Sequence, residues 1–233
     1  DSGLTEISID LMYGLPNATP EGWQRDLDTA IGLGVPHLSA YHLSYEEGTP
    51  LTRMLRRGEV REASEDESVS FFSQLRHTLI GTGYRHYEIS NFALAGHEAV
   101  HNSSYWNGTP YLGLGPGAHS FDGKRRCWNR PDLPRYMNVL LCDPQHVNSL
   151  SKGETLSDTE RYNEYVMTRL RTALGASIDE IGRTFGEAAA QHFLARAKTY
   201  ENSHRLRVTA DGRWVLTEEG IFVSDGIIAD LFL

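Results

Sequence analysis

Cysteine is scarce in this sequence, which contains only Cys127 and Cys142 among its 233 residues. The two residues do not have CxxC spacing, so they form neither a recognisable disulfide framework nor a zinc or iron–sulfur motif. We therefore interpret both as free thiols, and we expect that this chain alone does not bind an iron–sulfur cluster.

Basic residues are also few, since 22 lysines and arginines face 31 aspartates and glutamates, giving a net charge of -9. Such a balance disfavours a broad phosphate-binding surface and attraction to an anionic membrane. Nucleic acid is therefore not an expected partner.

Long apolar runs are absent as well. No stretch approaches the roughly 20 apolar residues that cross a bilayer, and no basic segment precedes a short apolar core as in a signal peptide. We expect a cytoplasmic protein without a membrane span. The chain begins without Met and enters an apolar segment almost at once, so we also expect it to be part of a longer protein.

Strand and helix patterns alternate in the N-terminal part. Thr19 and Ser64 are N-cap residues ahead of apolar stripes at helical spacing, and each helix separates two apolar strand-like segments. The predicted strands cover 7–12, 37–43 and 84–89. This order indicates an α/β fold of parallel strands with right-handed crossovers. Three strands rarely complete a parallel sheet or barrel, so we expect further strands upstream of Asp1.

Polar residues stand near the expected carboxyl ends of these strands, where α/β folds gather binding residues. They are Asp10, Ser44 and the pair Ser90-Asn91. Asp10 lies between Ile9 and Leu11, and a carboxylate buried there without a partner would cost free energy. We therefore expect Asp10 either to be hydrogen-bonded for structural reasons or to face a ligand.

The C-terminal part has a different pattern. Residues 143–156 lack periodicity and predict a linker after a first domain at 1–142. The segment 157–233 begins with the capping box Ser157 to Glu160 and continues with three helices, a hairpin at Asp211-Gly212 and a last helix from Gly220 to Leu233. This order is winged-helix-like, and the acidity of the chain favours protein docking over DNA binding.

The densest chemistry lies at 101–108, where His101, Asn102, Tyr105 and Trp106 fall within six residues, ahead of the glycine-rich segment 113–119. No ordinary helix or strand period fits this stretch. Glycines there allow the backbone to approach a ligand or another segment closely. Two interpretations remain open: a buried turn whose histidine caps the backbone, or a ligand site.

Four motifs in order resemble the family of HemW heme chaperones, which are related to oxygen-independent coproporphyrinogen III oxidases. The motifs are SIDLMYGLP at 8–16, YEISNF at 87–92, HNxxYW at 101–106 and YLGLGPGAHS at 111–120. The resemblance spans nearly the whole chain. It implies the C-terminal part of a radical S-adenosylmethionine (SAM) partial (β/α)6 TIM-like barrel, followed by a mainly helical winged-helix-like domain.

The resemblance also implies cofactors and site residues. The family holds a [4Fe-4S] cluster on a CxxxCxxC motif, which is absent here and would lie upstream of Asp1. Asp10 matches the strand-end acid that contacts SAM, and His101 matches the residue proposed to take heme. Asn102, Tyr105 and Trp106 would complete the heme pocket. His97 and His119 are close enough in sequence to be alternative ligands of the heme iron.

Three functions follow as hypotheses. The leading one is a heme chaperone that binds heme and passes it to an acceptor protein, whose identity the sequence does not indicate. The alternative is radical decarboxylation of coproporphyrinogen III, which requires the missing cluster cysteines, so enzymatic activity stays open. A non-enzymatic interaction module, based on the winged-helix-like segment, is the third.

Overall fold

A computed structural model describes residues 3–233 of the chain. The backbone forms two compact units, Asp1–Ala99 and Val100–Leu233. The division lies before the HNxxYW segment, whereas the sequence pattern predicts the end of the first domain at residue 142.

The first unit contains a four-stranded sheet with the order β1-β2-β4-β3. Its strands and helices are β1 (Ser8–Tyr13), α1 (Pro20–Gly32), β2 (His37–His42), α2 (Pro50–Arg56), α3 (Glu65–Gly81), β3 (Arg85–Glu88) and β4 (Asn91–Ala93). β1 and β2 are parallel, as expected, whereas β4 runs antiparallel to both β2 and β3. β3 therefore has the predicted direction but pairs with β4, which follows it after a tight turn.

Helices α1 and α3 form where caps and apolar stripes predict them. Thr19 accepts a hydrogen bond from the backbone nitrogen of Gly22, and Ser64 and Glu67 form a reciprocal capping box. The indole nitrogen of Trp23 donates to the carbonyl oxygen of Phe71 at 3.0 Å, which joins the two helices. The buried side chains of both helices cover one face of the sheet and leave its other face polar.

The first part of the second unit contains helix α4 and a three-stranded antiparallel sheet in the order β5-β6-β7. Its elements are α4 (Val100–Trp106), β5 (His119–Phe121), β6 (Arg125–Asn129), α5 (Leu133–Cys142), a 3-10 helix at Pro144–Leu150 and β7 (Ser151–Thr155). The predicted linker 143–156 is wrong, because β7 pairs with β6 along its whole length and both Leu150 and Leu156 are buried. Every residue of β7 is exposed, so its sequence lacks the alternation that would have indicated a strand.

The remainder of the second unit has the expected winged-helix order. Its elements are α6 (Asp158–Leu170), β8 (Ala176–Ser177), α7 (Ile178–Phe185), α8 (Glu187–Asn202), β9 (Leu206–Val208), β10 (Arg213–Leu216), α9 (Glu218–Phe222) and α10 (Ser224–Asp230). The last helix predicted from Gly220 is instead two short helices that meet near Val223. Tyr162 and Phe193 are 0% exposed at the centre of its core.

Two large apolar residues of the second unit are exposed. Leu174 lies beyond the end of α6, and Leu140 lies on α5. Within residues 3–233, the structure contains no helix that combines the length and apolarity needed to span a bilayer.

Candidate functional site

The HNxxYW segment forms the short helix α4, although its sequence suggested no regular period. His101 and Tyr105 are four residues apart and therefore share one face of the helix. Their rings meet edge to face with centroids 5.0 Å apart. Asn102, the next residue along the helix, is half-buried.

His101 is exposed, and neither of its ring nitrogens has a hydrogen-bond partner among residues 3–233. A histidine that capped the backbone in a buried turn would be covered and hydrogen-bonded, so that interpretation is wrong for His101. A neutral imidazole with a free ring nitrogen can coordinate a metal.

A series of aromatic rings continues from His101 into the unit. Tyr105 packs edge to face on Tyr111 at 4.8 Å, and Tyr111 packs on Phe121 at 6.3 Å. The backbones of Tyr111 and Phe121 also exchange two hydrogen bonds of 2.8 and 2.9 Å. This pairing fixes the rings of Tyr111 and Phe121 relative to one another, so a cluster of aromatic rings starts directly beside His101.

A cavity of about 330 Å³ lies at the end of this series, entirely within the second unit. Trp106 from α4 lines it together with Tyr111 and Phe121, and α6 and α7 contribute Tyr165 and Phe185. Burial raises the pKa of Tyr165 to about 12. Its phenol is therefore neutral, and it donates to the carboxylate of Glu180 at 2.8 Å.

Basic side chains line part of this aromatic cavity, although the whole chain is acidic. Its lining includes three arginines and one glutamate, namely Arg126, Arg161, Arg169 and Glu164. Arg126 pairs with Glu164 at 2.6 Å, and Arg169 pairs with Glu180 at 3.3 Å. Among residues 3–233, the ion-pair partner of Arg161 is the highly exposed Asp158, at 3.1 Å. An exposed pair of this kind contributes little stability and leaves Arg161 available to another anion.

The glycine-rich segment brings two parts of the chain close together. A Cβ atom on Gly113 would lie 2.0 Å from the carbonyl oxygen of His119, so only glycine fits there. The backbone nitrogen of Gly115 donates to the hydroxyl of Tyr136 at 3.1 Å, and the carbonyl oxygen of Gly115 accepts from Asn129 at 2.9 Å. The sequence allowed these glycines to approach either a ligand or another segment of the chain. The contacts favour close approach to another segment.

The other two candidate histidines have different surroundings. Nδ1 of His97 lies 2.9 Å from a carboxylate oxygen of Glu6, in the first unit. His119 is exposed on β5 and stacks on Trp128 with centroids 6.1 Å apart. His97 therefore has one nitrogen engaged, whereas His119, like His101, has no hydrogen bond to its ring among the described residues.

The polar face of the first unit's sheet carries a second group of candidates. Asp10 lies within β1, not at its carboxyl end, and is exposed. It is in register with Ser39, which is in register with Asn91. Asn91 donates to Glu88 at 2.6 Å, but its own buried Oδ1 has no hydrogen-bond partner in the described part of the chain.

His37 lies on the same face, two residues before Ser39, and sequence reasoning did not identify it. It is 6% exposed, and its ring nitrogens lie 2.7 Å from the hydroxyl of Ser8 and 2.8 Å from that of Tyr87. Burial lowers the pKa of His37 below its ordinary value of 6.5, although the charge of Asp10 acts in the opposite direction. Its only sequence signal was the alternation of polar residues in the second strand.

A cavity of about 360 Å³ follows the carboxyl end of β1. Gly14 lines it with a φ of 73°, and a Cβ atom there would lie 2.7 Å from Nε2 of His42. The Tyr13-Gly14-Leu15-Pro16 turn is therefore shaped by close packing against the second strand.

The cysteines are far apart in the sequence and lie on different elements, Cys127 on β6 and Cys142 at the end of α5, and both are free. Among residues 3–233, no group of three or more His, Cys, Asp or Glu side chains is arranged to hold a metal ion. These residues do not fit a [4Fe-4S] cluster.

Sequence comparison relates this chain to one set of proteins. Residues 156–223 match the HemN C-terminal domain family. The heme chaperone HemW of Mycobacterium tuberculosis (strain ATCC 25618 / H37Rv) is 33% identical over 211 residues, which cover 91% of this chain and 53% of the relative. HemW of Lactococcus lactis subsp. lactis is 32% identical, covering 91% and 56%. The chain thus spans about half the length of the curated relatives it matches.

Comparison with solved structures agrees with the sequence comparison. The solved structure of coproporphyrinogen III oxidase (HemN) from Escherichia coli, a radical SAM enzyme, matches with a TM-score of 0.70 at 19% identity, over 98% of this chain and 55% of that one. This likeness confirms the predicted fold class, part of the radical SAM fold followed by a winged-helix-like region. The sequence motifs, the domain match and the shared fold together show that the chain belongs to the HemW group of HemN-related proteins.

Proposed function

We propose that the protein is a heme chaperone, which binds heme as cargo and passes it to an acceptor protein. The observation that carries this proposal is the exposed ring of His101, which accepts or donates no hydrogen bond among the described residues and lies at the start of the aromatic series through Tyr105. Imidazole is a common axial ligand of heme iron, and aromatic faces pack well on a porphyrin. The relatives named as heme chaperones support the same conclusion.

Replacing His101 with alanine is expected to change the heme spectrum and weaken hemin binding by about tenfold or more, which corresponds to about 1.4 kcal/mol. The reason is the loss of the axial nitrogen from an exposed position where alanine leaves the fold intact. Titration of the intact protein with hemin, followed at the Soret band, measures both effects.

His119→Ala and His97→Ala are the matched controls for this titration. Both variants should keep the wild-type spectrum if His101 is the ligand. A spectrum altered only in His119→Ala would move the assignment to the other exposed histidine of the second unit.

We also propose that Asp10 binds SAM in the intact protein. The exposed carboxylate of Asp10 stands at the open edge of a polar row that continues through Ser39 to Asn91, where a buried acceptor is unpaired. Carboxylates suit the ribose hydroxyls of an adenosyl group. When bound, SAM would supply an adenosyl group to this face, and the [4Fe-4S] cluster is assigned to no residue of this chain.

Asp10→Asn is expected to weaken SAM binding severalfold while the fold is retained, because the amide keeps the size of the side chain but loses the anionic acceptor. Calorimetry on the intact protein measures the affinity. Asp28→Asn, an exposed change on α1, is the control, and equal affinities for all three proteins would reject the role of Asp10.

The oxidase alternative receives no specific support. The Escherichia coli oxidase shares the fold at 19% identity, and a shared fold does not assign a reaction. The winged-helix-like region retains its predicted role in protein docking, which we assign to contact with the heme acceptor.

A further inference from the structure

The aromatic cavity of the second unit is separate from His101, yet the ring series connects them. His101 does not line the cavity, whereas Tyr105 both contacts His101 and forms part of the cavity wall. Resting on the proposed function, we propose that this cavity receives one edge of the heme macrocycle. Helices α6 and α7 would then contribute directly to the heme site.

The wall has the chemistry that a tetrapyrrole edge requires. Aromatic rings approach from three separate parts of the unit: α4, the β5 region and the α6–α7 pair. Phe185 is itself packed against Tyr165 with centroids 5.8 Å apart. Flat ligands bind most strongly where several rings offer apolar faces at fixed positions.

The size of the cavity indicates that only part of the heme macrocycle is inserted into it. Its volume of about 330 Å³ is near the lower end of the roughly 300–1,000 Å³ of ordinary ligand pockets. A whole macrocycle is larger than most ligands at that end of the range. Heme held by one edge would keep its other edge accessible, which is what transfer to an acceptor requires.

The charge of the wall matches the anionic side groups of heme. Three arginines and one glutamate line the cavity. Arg126 is paired with Glu164 and Arg169 with Glu180, so Arg161, whose partner Asp158 is highly exposed, is the arginine best placed to bind an anionic group. Arg161 lies over the ring of Phe185 at 5.8 Å, so its guanidinium is held beside the aromatic wall. A propionate could replace the exposed Asp158 as its partner at little cost.

Trp106 adds an independent sign of incomplete packing. Its indole nitrogen is buried and has no hydrogen-bond partner among residues 3–233, although the side chain borders the cavity. An unpaired buried donor costs about 1–3 kcal/mol. A small rotation of the indole toward a carboxylate or carbonyl oxygen in the cavity would satisfy this donor.

Met167→Trp tests the proposal by filling the cavity. Met167 lines the cavity from α6 and is 38% exposed, so the larger ring can be accommodated without disturbing the core. The probes are hemin and metal-free protoporphyrin IX, titrated into the intact protein. Met167→Trp should weaken both by about tenfold or more, whereas His101→Ala should weaken hemin alone, because only hemin has an iron to ligate.

Met137→Trp is the matched control, since Met137 is 50% exposed on α5 and does not line the cavity. It should bind both probes like the wild type. Arg161→Gln is a second variant that changes charge and not volume, and it should weaken both probes and reduce the dependence of binding on salt.

The outcomes separate the two proposals. Wild-type affinity for both probes in Met167→Trp and Arg161→Gln overturns the cavity proposal, whatever His101→Ala shows. Weakened binding of both probes in Met167→Trp, with an unaltered hemin spectrum in His101→Ala, supports the cavity and rejects His101 as ligand. If the wild-type protein binds neither hemin nor protoporphyrin IX, the cavity proposal and the heme-chaperone proposal are both rejected.

Discussion

Replacing Phe193 with alanine is expected to lower the free energy of unfolding of the second unit by about 3–5 kcal/mol. Phe193 is 0% exposed on α8 and packs edge to face on Trp214 of β10 with centroids 6.3 Å apart. Its removal leaves a cavity between a helix and the hairpin, where the backbone cannot collapse freely. Urea unfolding followed by circular dichroism measures the change.

Leu174→Ala is the control for this measurement. Leu174 is a large apolar residue of the same unit, but it is exposed, so its truncation should cost less than about 1 kcal/mol. Equal losses for the two variants would contradict the core described for the winged-helix-like region.

Gly113→Ala is expected to destabilise the second unit by about 3 kcal/mol or more. The added methyl would lie 2.0 Å from the carbonyl oxygen of His119 and 2.8 Å from its backbone nitrogen. Rigid backbone cannot yield as a flexible side chain can, so β5 must move. The hydrogen bond from the Gly113 nitrogen to Ser120, 2.9 Å long, would be lost as well. Thermal unfolding measures the effect.

Gly32→Ala provides the matched glycine control. Gly32 is the last residue of α1 and has nothing within 4 Å of the position of a Cβ atom. Alanine there should leave stability unchanged or raise it by up to about 1 kcal/mol, because it lowers the entropy of the unfolded chain. An unchanged stability in Gly113→Ala would show that the fold does not require the close approach of Gly113 to His119.

Much of the fold could be predicted where local signals agree with tertiary packing. Helices α1, α3 and α6 each have an N-cap side chain followed by an apolar stripe, and each begins where those signals predict. The hairpin of β9 and β10 likewise follows from its Asp-Gly turn. In these elements the same residues determine both the local conformation and the buried face.

Other elements were missed because distant parts of the chain determine them. β4 is three residues long and exists because it pairs with β2 and β3. β7 has no apolar residue at all and is specified by its partner β6. α4 is too short for its period to be read from the sequence. Pairing and length, which a single sequence encodes weakly, explain these errors.

The candidate site also contains residues that the sequence indicates and residues that only the folded structure brings together. His101, Asn102, Tyr105 and Trp106 could be proposed from the sequence because they form one contiguous motif whose resemblance to a family is specific. Tyr165 and Phe185 were recognised only from the structure, where they line the cavity, because their spacing in the sequence is that of ordinary core residues. The sequence therefore indicated the proposed iron ligand but not the surface proposed to hold the macrocycle.

The central claim is that His101 binds the heme iron, and chemical rescue tests it most directly. The intact His101→Gly variant is mixed with hemin, and its absorption spectrum is recorded before and after addition of free imidazole. The predicted result is an altered Soret band that returns to the wild-type position with imidazole, because the free ligand replaces the missing ring. A wild-type spectrum in His101→Gly before imidazole is added would contradict the claim.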